Sequence, residues 1–179
     1  MKHLVFVLTA ILMTWSLAAN AAEFKKGLEA AQKGDFATAL KEWQPLADEG
    51  NQHAQYSLGV MYLNGQGVPQ DYEEAVKWYR LSAEQGNVAA QTNLGVMYYS
   101  GKGVPQDFAM AVKWFSLAAE QGYAYAQTNL GVMYFAGQGV EQDYAKAANW
   151  YSKAAALGDE GAKAKLEEMY ANGQAKPEE

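Results

Sequence analysis

The chain has 179 residues, half of them apolar and 19% charged, with 20 acidic against 14 basic side chains and a formal net charge of −6. That apolar share excludes a disordered chain, and the acidic balance speaks against a nucleic-acid partner, which draws a basic surface. Cysteine is absent and only His3 and His53 are histidines, so disulfides, thiolate catalysis, cysteine-ligated metals and His-rich metal sites are all excluded.

Residues 1–21 open with Lys2 and His3, continue as an apolar run from Leu4 to Leu17, and end on Ala19-Asn20-Ala21. A short basic start, an apolar stretch and small residues before a break are the pattern of a secretory signal peptide. Cleavage is expected after Ala21, with the mature chain periplasmic or secreted and not stably inserted in a membrane. An uncleaved membrane anchor is the alternative, although the run is shorter than the roughly 18–20 residues a spanning helix needs. Residues 22–49 then read as a partial unit of two helices, Phe24 to Lys33 and Phe36 to Ala47, joined by Gly34-Asp35. Pro45 is expected to kink or break the second, because it has no N–H to give.

Three copies follow without a gap, at 50–85, 86–121 and 122–157, a period of 36 residues. Trp78, Trp114 and Trp150 mark the period, as do Leu58, Leu94 and Leu130; Trp43 lies 35 before Trp78 and pairs with it on this reading. Such self-similarity is the signature of stacked supersecondary units. In the first copy, a helix is expected from Gln52 to Leu63, capped by Asn51 and stopped by Gly65-Gln66-Gly67. A second helix is expected from Tyr72 to Gln85, with Asp71 as cap and Asp71 with Glu74 as a capping box. Asn87 and Asp159, and Asp107 and Asp143, repeat these caps. Ala54, Leu58, Met61, Tyr62 and Gly65 on the first helix, and Tyr72, Ala75, Trp78, Tyr79 and Ala83 on the second, recur at threes and fours and form the core stripes.

One hairpin of this kind cannot bury both faces, so the units must stack. Residues 158–174 supply a closing helix without a partner; Glu167 stands where the full units have Gly59, Gly95 and Gly131, as expected where no further helix packs closely. Residues 175–179 are expected to be a disordered tail.

The pattern of Leu58, Gly59, Tyr62, Gly65, Gly67, Val68, Asp71, Tyr72, Ala75, Trp78, Tyr79, Ala83 and Gly86, renewed 36 and 72 positions later, resembles the Sel1-like repeat, a relative of the tetratricopeptide repeat. Phe108 and Phe115 are aromatic variants, and Glu141 replaces the proline of Pro69 and Pro105. The opening unit is similar to the shorter tetratricopeptide form. The resemblance implies an all-α, right-handed solenoid of stacked antiparallel helix pairs that acts as a protein-interaction scaffold, binding a protein or peptide in its concave face, without a cofactor.

On a helical wheel with Leu58 at zero, positions 53, 56, 60, 63 and 64 point the opposite way. This face is expected to turn from the unit's own second helix and, in such superhelices, to line the concave side. It differs between copies: His53, Tyr56, Val60, Leu63 and Asn64; Ala89, Thr92, Val96, Tyr99 and Ser100; Tyr125, Thr128, Val132, Phe135 and Ala136. Tyr56, Leu63, Tyr99, Tyr125 and Phe135, flanked by Asn93 and Asn129, are the candidate partner-binding residues. The alternative is that these side chains pack against the next unit's first helix.

His53 has no nucleophile arranged around it, the repeated Asp71, Asp107 and Asp143 are caps rather than a catalytic pair, and the Gly-x-Gly loops follow helices and lack the Walker lysine–hydroxyl pair. An enzyme acting on β-lactams or cell wall, as described for some cysteine-rich secreted relatives, finds no S-x-x-K motif here. No catalytic or metal-ligating residue is assigned, and a self-associating envelope protein is the third reading.

Overall fold

A computed structural model describes residues 20–176. The leader expected at 1–21, but for its last two positions, lies outside the described residues. Helix α1 covers residues 20–32, followed by α2 (Phe36–Asp48), α3 (Gln52–Asn64), α4 (Tyr72–Glu84), α5 (Val88–Ser100), α6 (Phe108–Glu120), α7 (Ala124–Ala136), α8 (Tyr144–Ala156) and α9 (Glu160–Ala171). Among the described residues there are nine helices and no strand, and no helix is long and apolar enough to cross a membrane. From α2 onward each helix packs on its neighbours in sequence, the pattern of a solenoid.

The caps fall where short polar side chains occur. Asn51 accepts from His53 N and Ala54 N at 3.0 and 3.1 Å, and Asp71 from Glu73 N and Glu74 N at 2.9 and 3.0 Å. The capping box is only half made. The backbone N–H of Asp71 donates to Tyr62 O at 2.9 Å, and Glu74 pairs with Lys77 instead. The N–H that a capping glutamate would serve is already satisfied, as it is at Asp107 and Asp143.

Each first helix closes on a left-handed glycine, Gly65 (φ 68°), Gly101 or Gly137, whose N–H returns to the methionine carbonyl four residues back. The second glycine of the loop has another duty. Gly103 rides so closely over the Tyr72 carbonyl that a Cβ would overlap it, and Gly139 does the same over Phe108. The loop is therefore both a helix stop and a contact with the preceding hairpin. Gln70, Gln106 and Gln142 hold it down, each donating to a carbonyl of the first helix (Leu63, Tyr99, Phe135) at 2.8 Å.

The core is made where an aromatic ring of the second helix fills a glycine notch on the first. A Cβ on Gly59 would meet the Tyr79 ring at 2.5 Å, one on Gly95 the Phe115 ring at 2.7 Å, and one on Gly131 the Tyr151 ring at 2.9 Å. Tyr79, Phe115 and Tyr151 are buried, while Trp78 and Trp150 are only half-buried; the residue one step along the wheel, about 100° away, owns the notch. Burying each such ring is worth about 1.5–3 kcal/mol. Trp43 occupies the same kind of notch, on Gly27 of α1. It is thus the counterpart of Tyr79, 36 residues on, and not of Trp78. The full units have a seven-residue loop between their helices; the opening unit has three, so α1 aligns with α3 at an offset of 32.

Pro45 does not break α2, which runs on to Asp48. The proline forfeits one backbone bond, while Leu46 and Ala47 beyond it are buried, and their carbonyls accept from Asn51 N and Gln55 Nε2. At the other end Glu167 is exposed, and Ala175, expected in the tail, packs against the cluster of α8 and α9.

Candidate functional site

The first helices of the three full hairpins, α3, α5 and α7, contain no Asp, Glu, Lys or Arg; His53 is their one titratable group besides tyrosines. The second helices carry the charge, α4 alone holding Glu73, Glu74, Lys77, Arg80 and Glu84. The solvent side of the first helices is therefore an uncharged strip of amides, small residues, valines and tyrosines. Tyr99 (36% exposed), Val132 (38%) and Tyr125 (54%) stand out of it, and Tyr123 (40%) flanks the start of α7.

The candidate residues divide into two groups. Tyr56, Leu63 and Phe135 are half-buried at the seams between successive first helices. Tyr56 does not turn from its own second helix: its ring lies 5.9 Å from that of Tyr79 on α4. Burial, with Tyr123 nearby adding to it, pushes the Tyr56 hydroxyl above its ordinary pKa, while the Asn93 side chain beside it opposes the rise. Leu63 packs into the cluster around Tyr79 and Leu94. Phe135 lies 5.3 Å from the Tyr144 ring, with Lys165 Nζ of α9 4.4 Å over its face. Tyr99 is intermediate, its ring 5.4 Å from Phe108 and its hydroxyl donating to Gln138 at 3.3 Å, so that one edge remains open. Tyr125 alone of the aromatic candidates is more than half exposed. Asn129 Nδ2 donates to the Tyr125 carbonyl at 2.7 Å, which fixes that turn and leaves its amide oxygen free for another donor.

Two features lie outside the sequence reading, and a third was placed on the face without being chosen as a binding residue. Tyr123 occupies the cap position that Asn51, Asn87 and Asp159 hold elsewhere and makes no capping bond; that departure from the repeat was the available signal. Val132 belongs to the exposed face, though only its neighbours were singled out. Gln55, Gln91 and Gln127 are buried, and their Nε2 groups donate across the seam to Ala47, Ala83 and Ala119 carbonyls at 3.0–3.1 Å. Gln85 and Gln121 donate in turn to the Oε1 of Gln55 and Gln91 at 2.7 and 2.8 Å. Their recurrence in every copy was visible, but recurrence alone does not tell a buried amide from a surface one.

Helical hairpins closed by glycine notches and stacked through loop glycines and amide bridges, with α3, α5 and α7 presenting no charge of their own, define a right-handed α-solenoid. The Sel1 repeat family model matches residues 52–87, 88–123 and 124–159, and the chain belongs to that family, whose members are typically protein-interaction scaffolds and generally non-catalytic. Among solved structures it is similar to a protective antigen present in uropathogenic Escherichia coli strains, displaying an SLR fold, at 41% identity and TM-score 0.84 over 93% of this chain and 36% of that one. A Sel1 repeat protein from Oxalobacter formigenes is 34% identical, with TM-score 0.82, over 86% of this chain and 63% of its own. Helicobacter pylori cysteine rich protein B shares the fold at 20% identity and TM-score 0.58, over 74% and 96% of the two chains. The chain thus spans about a third of the length of the first and 63% of the second. No curated protein matches it.

Proposed function

We propose that the protein is a periplasmic or secreted scaffold whose first-helix face receives an uncharged segment of a protein or peptide partner. The observation that carries this is the absence of charge from α3, α5 and α7 together with the exposure of Tyr99, Tyr125 and Val132 on them. Exposed aromatic and aliphatic groups gathered on one face mark interaction surfaces, and tyrosine contributes contact area at little entropic cost. An uncharged partner segment loses no hydration of ions on docking there, whereas a charged one would find no counter-charge on α3, α5 or α7. The leader-like residues 1–21 support the location.

The test compares two faces. Tyr125→Lys places a charge on the first-helix face; Leu81→Lys places one on α4, where Leu81 is 46% exposed. Affinity capture from envelope extract is expected to lose its specific partner with Tyr125→Lys and keep it with Leu81→Lys, with helicity and Tm of both variants unchanged. Retention by the first and loss by the second would reject this reading.

A further inference from the structure

The seam between the opening unit and the first full hairpin holds a cavity at the place where the later seams carry a large side chain. At the offset of 32, Ala31 of α1 aligns with Leu63, and Leu63 with Tyr99 and Phe135 at 36-residue steps. At Tyr99 and Phe135 the large side chain stands against the aromatic residue that opens its own second helix and a side chain of the following unit. Tyr99 touches Phe108 and Gln138, and Phe135 touches Tyr144 and Lys165. The counterparts of those neighbours in the first seam are Phe36, Gln66 and Ser57, and together with Ala31, Trp43 and Met61 they line a cavity of about 210 Å³. An apolar cavity of about 150 Å³ accepts benzene, so this one has room for the ring of an aromatic side chain. Its lining holds no charged group, and its polar atoms, from Ser57 and Gln66 among others, sit beside the apolar floor of Phe36, Trp43 and Met61.

We propose that this cavity is a socket for one uncharged aliphatic or aromatic side chain, supplied by the peptide that lies on the first-helix face. The molecule itself shows what fits: leucine, tyrosine and phenylalanine fill the equivalent place in the three seams that follow. Ala31 vacates the position, and an incoming side chain takes it. The peptide part of this inference rests on the function proposed above; the socket itself does not.

The experiment uses methyl-¹³C-methionine protein titrated with N-acetyl-phenylalaninamide, N-acetyl-leucinamide and N-acetyl-lysinamide. The first two are expected to shift the Met61 methyl signal saturably, leaving Met97 and Met133, its counterparts in the seams that carry a large side chain, unmoved; the lysine amide is expected to shift none. Ala31→Leu copies the natural filling of the next seam and should weaken the Met61 response at least tenfold without lowering Tm. The milder Ala31→Val should weaken it at least threefold, and Leu63→Ala should bring Met97 into response. Equal, unsaturable shifts at all three methionines, or a full response in the filled variants, would overturn the socket. Capture of the envelope partner that survives Ala31→Leu but not Tyr125→Lys would reject the socket and keep the peptide face. A saturable Met61 response in a protein with no partner on that face would do the reverse.

Discussion

The first and third full hairpins share their apolar core and differ in how polar groups lock it. In the α3–α4 hairpin, Ser82 Oγ donates to Gln52 O at 2.7 Å, Gln85 closes on Gln55, and Asn51 caps α3 through two backbone N–H groups. In the α7–α8 hairpin the same places hold Ala154, Leu157 and Tyr123. The start of α7 therefore has no side-chain cap and no tie to the end of α8, and Gln127 Oε1 is buried without a partner. What holds α7 instead comes from outside: Thr128 Oγ1 donates at 2.8 Å to Asp159, the cap of α9. Closing each hairpin requires only that the glycine notch and its ring repeat. The polar locks are free to lapse, and here they lapse beside Tyr123 and Tyr125, the most exposed aromatic pair on the uncharged face.

The largest effect should come from the shared part. Phe115→Ala empties the Gly95 notch and is expected to cost about 3–5 kcal/mol in denaturant unfolding. Trp78→Ala, at a half-buried position, should cost clearly less. Equal costs would mean that the tryptophan and not the notch ring organises the hairpin. Next comes the amide bridge. Gln121→Leu strands the buried Gln91 Oε1 and should cost about 1–3 kcal/mol. The opposite change, Leu157→Gln, gives Gln127 its missing donor. Leu157 is a helix C-cap like Gln85 and Gln121, with φ −91° and ψ 6° against −86° and 1° for Gln85, and is 58% exposed, so the swap should gain about 0.5–1.5 kcal/mol.

A pH dependence follows from Asp159. The Ala162 backbone N–H and then the Thr128 hydroxyl hold its carboxyl below the usual carboxylate pKa. The folded-state value is the lower one, so its contribution is present above the unfolded pKa, near 4, and is lost as pH falls through the folded value. Acid should therefore loosen the α7–α9 tie before the hairpins part. Asp159→Asn, which keeps a capping oxygen, should remove that pH dependence and change stability at pH 7 by about 1 kcal/mol or less. The smallest expected effect is local. Amide exchange at residues 124–127 should be faster than at 52–55, as fits an end with fewer locks.

The hairpins, their caps at Asn51, Asp71 and their repeats, and the closing glycines were legible because each rests on a local rule of the chain. The notch was only half legible: Gly59 and Tyr79 both recur, but which aromatic of the Trp78–Tyr79 pair fills it depends on the crossing of two helices. Tyr56 and Phe135 illustrate the same limit on the candidate face. A wheel places a residue relative to its own helix axis, and whether the next hairpin covers it is decided by the stack. Ala31 was invisible as a site because the shorter loop of the opening unit shifts its alignment by four residues.

The claim that the uncharged face is the working face is tested most directly by photo-cross-linking in cells, with benzoylphenylalanine placed at Val132 on α7 or at Leu117 on α6. Both positions are 38% exposed, so accessibility is matched. A discrete protein adduct from position 132 and none from 117 is the predicted result; adducts from 117 alone would contradict it.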